Sequence, residues 1–178
     1  SFDYVVNLAG SINNNSKEKY KNNHLRILKN LINFFDNSYV KVFLQLGTSL
    51  EYGKINSPND EKKKCFPISK YGKDKLKCTN FLLKLNSKKN FPVTIFRVYQ
   101  AYGPIQGTNR LIPLISKSCI QKQKFKCSDG KQYKDFIYID DLVSAILKAL
   151  KSKNSVGEIF NVGTGKKTSI KYIINYIQ

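Results

Sequence analysis

A phenol and an ammonium stand one helical turn apart in "FPISKYGKDKLKCTNFLLKL": Tyr71 and Lys75, at the head of an amphipathic run. Residues four apart share a helix face, so the Lys75 ammonium can approach the Tyr71 hydroxyl. A nearby cation favours the phenolate and lowers the phenol's pKa from about 10 toward the working range of a general base. The spacing alone decides little, because the chain holds 11 tyrosines and is crowded with lysine. The competing reading is a solvated helix face with Tyr71 packed at its start. A third group adds weight. In "LGTSLEYG" Thr48 follows Gly47 at the expected carboxyl end of a strand, where its hydroxyl can hydrogen-bond a substrate alcohol and align it for deprotonation. The plain alternative there is a threonine satisfying backbone groups in a turn.

These side chains need a scaffold, and the apolar pattern supplies one. "DYVVNLAG" (3–10), "VKVFLQLGTS" (40–49) and "FPVTIFRVY" (91–99) are short, β-branched or apolar runs that suit buried parallel strands. Between them, the apolar spacing from Ser16 to Phe35 predicts one amphipathic helix, and the run from about Lys70 predicts a second. Strand–helix–strand–helix–strand order predicts an α/β fold with a parallel, doubly wound, Rossmann-like sheet and right-handed crossovers. In such sheets ligands sit beyond the carboxyl ends of the strands. Those ends are Leu8 to Gly10, Gly47 to Ser49 and Val98 to Gln100, with the start of the Tyr71 helix nearby.

After "AYGP" (101–104) the pattern becomes irregular. A helix is predicted over 111–122, short strands around the Asp129-Gly130 turn signal, and a helix with an acidic start over 140–150. A last strand over 158–163 and the beginning of a final helix complete the pattern. No internal repeat or low-complexity linker interrupts it.

Composition bounds the function. At 178 residues, 41% hydrophobic and 24% charged, the chain has material for a real core. No apolar run reaches the roughly 18 residues needed to span a bilayer. The opening has no basic leader region, so it does not read as a signal peptide. It also starts almost inside a strand without methionine, which predicts that these residues belong to a longer protein. Cys65, Cys78, Cys119 and Cys127 form no C-x-x-C pair, and His24 is the only histidine. No metal site is expected, and reduced thiols in a cytoplasmic protein are. The formal charge of +19 suggests polyanions. Against that, arginine occurs only at 26, 97 and 110, so lysine supplies nearly all of the 31 basic residues. Nucleic-acid readers lean on arginine for bidentate contacts, which disfavours a nucleic-acid partner.

Taken in order, "NLAG", "GTSLEYG", "PISKYGKDKLK", "RVYQAYGP", "NRLIP", "DGKQYKDFIYIDD" and "EIFNVGTG" resemble the extended short-chain dehydrogenase/reductase family. Within it they are most similar to the NAD-dependent epimerase/dehydratase group acting on nucleotide sugars. The resemblance implies NAD or NADP as cofactor and a nucleotide-diphosphate sugar as substrate, with hydride transfer at a sugar carbon, usually C4. It makes Tyr71 the base, Thr48 the partner of the sugar hydroxyl, and Lys75 the residue that holds the nicotinamide ribose and tunes Tyr71. Leu8, Ala9, Gly10, Asn23 and Tyr99 would line the cofactor, and Gln100, Arg110 and Lys134 the substrate. By the same resemblance, residues 1–101 and 137–165 form an incomplete cofactor-binding part that lacks its first βαβ units. Residues 102–136 and 166–178 form a small, mixed substrate-binding part. A homodimer through the helices at 16–35 and 70–89 is implied for the whole protein.

Departures from the family pattern refine the expectation. The glycine-rich dinucleotide fingerprint is absent from these residues and would precede Ser1. "GTGKKTS" (163–169) neither replaces it nor forms a Walker loop. Gln100 stands where the family usually has asparagine, and Lys134 where it usually has arginine. Ser49 and Leu50 replace the Asp-Glu pair of the 4,6-dehydratases, which favours an epimerase or 4-ketosugar reductase, with the isolated fragment inactive. Two alternatives remain at this point: a relative recruited to RNA or another polyanion, and a nonfunctional fragment.

Overall fold

The computed structural model describes residues 2–10, 24–35 and 39–178. The chain divides into two compact units, Ser1–Val98 with Ile146–Asn161, and Tyr99–Ala145 with Val162–Gln178.

The first unit is built on strands β1 (Tyr4–Asn7), β2 (Val42–Leu46) and β3 (Val93–Val98), joined in the sheet by β7 (Ile159–Val162) in the order β1-β2-β3-β7. β1 pairs with β2 and β2 with β3 in parallel, in a register that sets Tyr4 against Val42 and Phe43 against Val93. Helix α1 (His24–Phe35) connects the first two strands and α2 (Lys70–Lys89) the next two. The expected α/β parallel sheet is therefore present. The amino-terminal stretch of the first predicted helix, and with it Asn23, lies outside the described residues.

Local chemistry explains where the elements stop. α2 begins where the Ser69 hydroxyl accepts a hydrogen bond from the Gly72 amide at 3.0 Å, which satisfies one orphan donor of the first turn. It ends at Asn90, whose left-handed backbone (φ 55°) suits a short polar side chain. Beneath the helices lies one apolar core. Leu28, Ile32 and Phe35 of α1 and Cys78 and Leu82 of α2 pack on Phe43, Val93 and Ile95 of the sheet. Removing that much apolar surface from water is the dominant stabilising term.

The second unit holds β4 (Gln100–Tyr102), α3 (Leu111–Ile120), β5 (Tyr133–Lys134), β6 (Phe136–Tyr138), β8 (Thr168–Ser169) and α5 (Ile170–Ile177). Helix α4 (Ile139–Lys151) is shared between the units. β4 pairs in parallel with β6, and β5 pairs antiparallel with β8. Of the short strands expected around the Asp129-Gly130 turn signal, β5 and β6 follow it and none immediately precedes it. Gly130 does turn with φ 71°, but its carbonyl accepts from the Lys171 amide at 2.9 Å, and the strand that follows takes its partner from residues 168–169.

Candidate active site

Three segments of the first unit meet at the carboxyl ends of its strands. Lys75 sits one turn into α2, is 5% exposed, and donates from Nζ to the Leu46 carbonyl at the end of β2 at 2.8 Å. Its ammonium lies 5.9 Å from the centre of the Tyr71 ring. Burial pushes the Lys75 pKa down, opposed by the electrostatic influence of Cys78 and Glu51. A Cβ on Gly10, just past β1, would lie 3.4 Å from Lys75 Nζ and 3.4 Å from His24 Nε2. The imidazole of His24 in turn packs edge-on against the Tyr71 ring, 5.6 Å between centres. Tyr71, Lys75, Gly10 and His24 thus form one cluster.

Thr48 is joined to this cluster through the backbone. It caps a short 3-10 turn, Ser49–Glu51, and its Oγ1 accepts from the Leu50 amide at 3.3 Å. The Leu50 carbonyl of that turn lies against Gly72, where a Cβ would come within 2.5 Å of it, so glycine is what lets α2 start this close. The turn-satisfying role expected of Thr48 is present. Its hydroxyl does satisfy a turn amide, and it stands beside the start of the Tyr71 helix. A hydroxyl retains its own proton and a second lone pair after accepting one bond.

Sequence reasoning missed Glu51 and Arg97. Glu51 is fully buried, and its carboxylate accepts from the Thr48 amide (3.0 Å), the Thr79 hydroxyl (2.9 Å) and Arg97 Nε (3.2 Å). The Arg97 guanidinium stacks over the Tyr52 ring at 4.5 Å and donates to the Glu61 carbonyl at 3.1 Å. The signal was present in "VTIFRVY": a charge inside a buried strand demands a partner.

Leu8, Ala9 and Gly10 are exposed beyond β1, with the Ala9 amide tied to Asn7 Oδ1 at 3.0 Å. Their exposed backbone lies beside the buried Lys75 ammonium, which a side chain on Gly10 would meet at 3.4 Å. "GTGKKTS" is occupied internally: the amides of Thr164 and Gly165 and the Thr164 hydroxyl all donate to the Asp135 carboxylate at 2.8 Å.

Tyr99, Gln100, Arg110 and Lys134 belong to the second unit. Tyr99 and Gln100 are half-buried, Arg110 precedes α3, and Lys134 is exposed in β5. An open groove of about 430 Å³ in that unit is lined by Gly103, Ile105, Ile112, Ser116 and Lys117 among others, and none of those four residues lines it. Among the described residues, no group of three or more His, Cys, Asp or Glu side chains is placed to hold a metal, and no helix is long and apolar enough to cross a membrane. The four cysteines are free thiols.

Comparison with known proteins bears directly on this arrangement. The profile of the "NAD dependent epimerase/dehydratase family" matches residues 1–163. The chain belongs to that family. A protein of Bacillus subtilis described as an uncharacterised UDP-glucose epimerase is 26% identical over 160 residues, covering 89% of this chain and 51% of the relative. The human dTDP-D-glucose 4,6-dehydratase is 32% identical over 134 residues, covering 74% of this chain and 38% of the relative. Among solved structures, the UDP-glucuronic acid 4-epimerase of Bacillus cereus, in complex with UDP-glucuronic acid and NAD, superposes with a TM-score of 0.89. It is 27% identical, and the match covers 98% of this chain and 58% of that one. The chain thus spans about half the length of the curated relatives it matches, or less. The Rossmann-like fold expected from the strand order is the fold these relatives share.

Proposed function

We propose that the protein carrying this chain is an NAD(P)-dependent nucleotide-sugar epimerase or 4-ketosugar reductase. The observation that carries the reading is the Lys75 ammonium, buried at the strand ends within one helical turn of Tyr71 and beside the open backbone of Gly10. The chemistry that a bound nicotinamide cofactor supplies is redox at the sugar carbon. Thr48 hydrogen-bonds and orients the sugar hydroxyl. Tyr71, as phenolate, takes the hydroxyl proton during oxidation and returns it during reduction. Lys75 favours the phenolate by its charge and holds the nicotinamide ribose. Leu8, Ala9, Gly10, Asn23 and Tyr99 complete the cofactor side, and Gln100, Arg110 and Lys134 bind the nucleotide diphosphate and sugar. In the whole protein, α1 and α2 form a homodimer contact, and the enzyme is cytoplasmic.

Elimination of water is disfavoured by the turn that carries Thr48. Ser49 and Leu50 supply no carboxylate, and the one acid of the turn, Glu51, is buried and engaged by Arg97, Thr79 and the Thr48 amide. Incubating the protein, as its gene encodes it, with UDP-glucose or dTDP-glucose and oxidised cofactor, and separately with their 4-keto derivatives and reduced cofactor, tests the reading. An epimerase interconverts sugar epimers without net cofactor consumption. A reductase oxidises one reduced cofactor per ketosugar consumed. A dehydrated keto-deoxy product would overturn the choice of reaction, and failure to bind either cofactor or nucleotide sugar would overturn the whole reading.

A further inference from the structure

The carboxylate of Glu51 touches both halves of the candidate site. One oxygen, Oε1, accepts from the Thr48 amide at 3.0 Å, and so fixes the backbone of the residue that would orient the substrate alcohol. The other, Oε2, accepts from the Thr79 hydroxyl at 2.9 Å. Thr79 follows Lys75 by four residues as Lys75 follows Tyr71, so the three share one face of α2. Arg97 Nε, 3.2 Å from Oε2 and in a side chain only 4% exposed, donates to the carboxylate and fixes its direction. The fit is tight on the remaining side. A Cβ on Gly47 would come within 2.5 Å of Oε1, so the strand end must be glycine for this carboxylate to reach Thr48.

We propose that Glu51 is a positioning residue that locks the Thr48 turn and the Tyr71–Lys75 face of α2 into one register. It touches neither substrate nor cofactor. A buried ion pair adds little stability over an apolar replacement of the same shape, whereas a register between two site-bearing segments is a use such pairs serve. Two segments far apart in the chain are held by one planar group with fixed geometry. Rotating or withdrawing that group releases Thr48 from α2 without disturbing the apolar core. The inference deepens the proposed function and rests on it for the catalytic consequence, but the mechanical claim stands on the hydrogen bonds alone.

The test uses the protein as its gene encodes it, with E51Q and T79V, each also combined with T48A. Native-state hydrogen exchange is read at the Thr48 amide, relative to the core amides of Val93 and Ile95. At least about tenfold faster relative exchange is expected in E51Q, since the Thr48 amide loses its carboxylate acceptor, and a smaller acceleration of the same sign in T79V. Turnover of UDP-glucose or dTDP-glucose is read alongside. Both variants lower kcat by about tenfold with KM within about twofold, and the loss disappears in the T48A background because the residue being positioned is already gone. Unchanged Thr48 protection in both variants overturns the inference, as does a kcat loss equal with and without T48A. If E51Q strands Arg97 and unfolds, T79V, which leaves the ion pair intact, decides both arms. If no variant and no wild-type protein turns over, the functional reading fails, and exchange alone decides whether Glu51 couples the two segments.

Discussion

Replacing Lys75 with methionine separates what the residue does for folding from what it does for chemistry. Methionine matches the length of the buried stem and removes only the charge. On the debit side, K75M loses one hydrogen bond from an ionised donor to the Leu46 carbonyl, worth about 1.5–3 kcal/mol. That carbonyl is not orphaned, because Gln45 Nε2 also donates to it at 2.8 Å. On the credit side, the variant escapes the burial of an ammonium that is 5% exposed and has no carboxylate within ion-pairing distance among the described residues, a cost of several kcal/mol. The balance predicts K75M more stable than the wild type by about 1 kcal/mol at neutral pH, with turnover lower by two orders of magnitude or more. The pH dependence has a definite sign. The folded-state pKa is lowered from 10.5, so the unfolded chain holds more protons in the window between the lowered value and 10.5. Wild-type stability therefore rises with pH through that window, and the advantage of K75M shrinks and vanishes above it. Urea denaturation of both proteins at neutral pH and again near the lysine range measures this. A K75M protein less stable than wild type at neutral pH, or a difference that ignores pH, would refute the reasoning.

Two further outcomes follow from individual side chains. Cys78 is buried in the core and its thiol pKa is pushed up to about 11 by burial, so alkylation under native conditions should spare it while labelling the exposed Cys127, and Cys78 should react only on unfolding; mass spectrometry of the alkylated peptides reads this, and native labelling of Cys78 at the rate of Cys127 would contradict the packing. Lys134 is exposed and supplies a point charge where arginine would give two parallel donors, so K134R should tighten nucleotide-diphosphate binding by about three- to tenfold with kcat unchanged, as titration calorimetry and steady-state kinetics can check.

The parts of the fold that local pattern governs were legible in the chain. The Ser69 cap and the apolar spacing after it place α2 where it is found, and the β-branched run at 91–99 gives β3 with its ends trimmed. What escaped was set by tertiary partners. Asp129-Gly130 reads as a turn among short strands, but the Gly130 carbonyl accepts from Lys171, and no local rule selects residues 168–169 as the strand partner. Nothing near Glu51 in the chain marks it as buried, because its partner Arg97 lies 46 positions away. Gly163 to Ser169 reads as an incomplete phosphate loop, and the reason it is none is Asp135, whose carboxylate fills the amides a phosphate would use. Side chains that face one another across sequence distance leave only a compositional trace, such as a charge in an apolar run. Tyr71 and Lys75 were visible because one helical turn brings them together.

Substituting phenylalanine for Tyr71 asks whether the Tyr71 oxygen moves the proton. The variant keeps the ring that packs on His24 and lies near Lys75, and removes a single oxygen. Measured with cofactor and nucleotide sugar, it should bind both within about twofold of wild type and turn over about a thousandfold more slowly. Turnover within a few-fold of wild type would contradict the account.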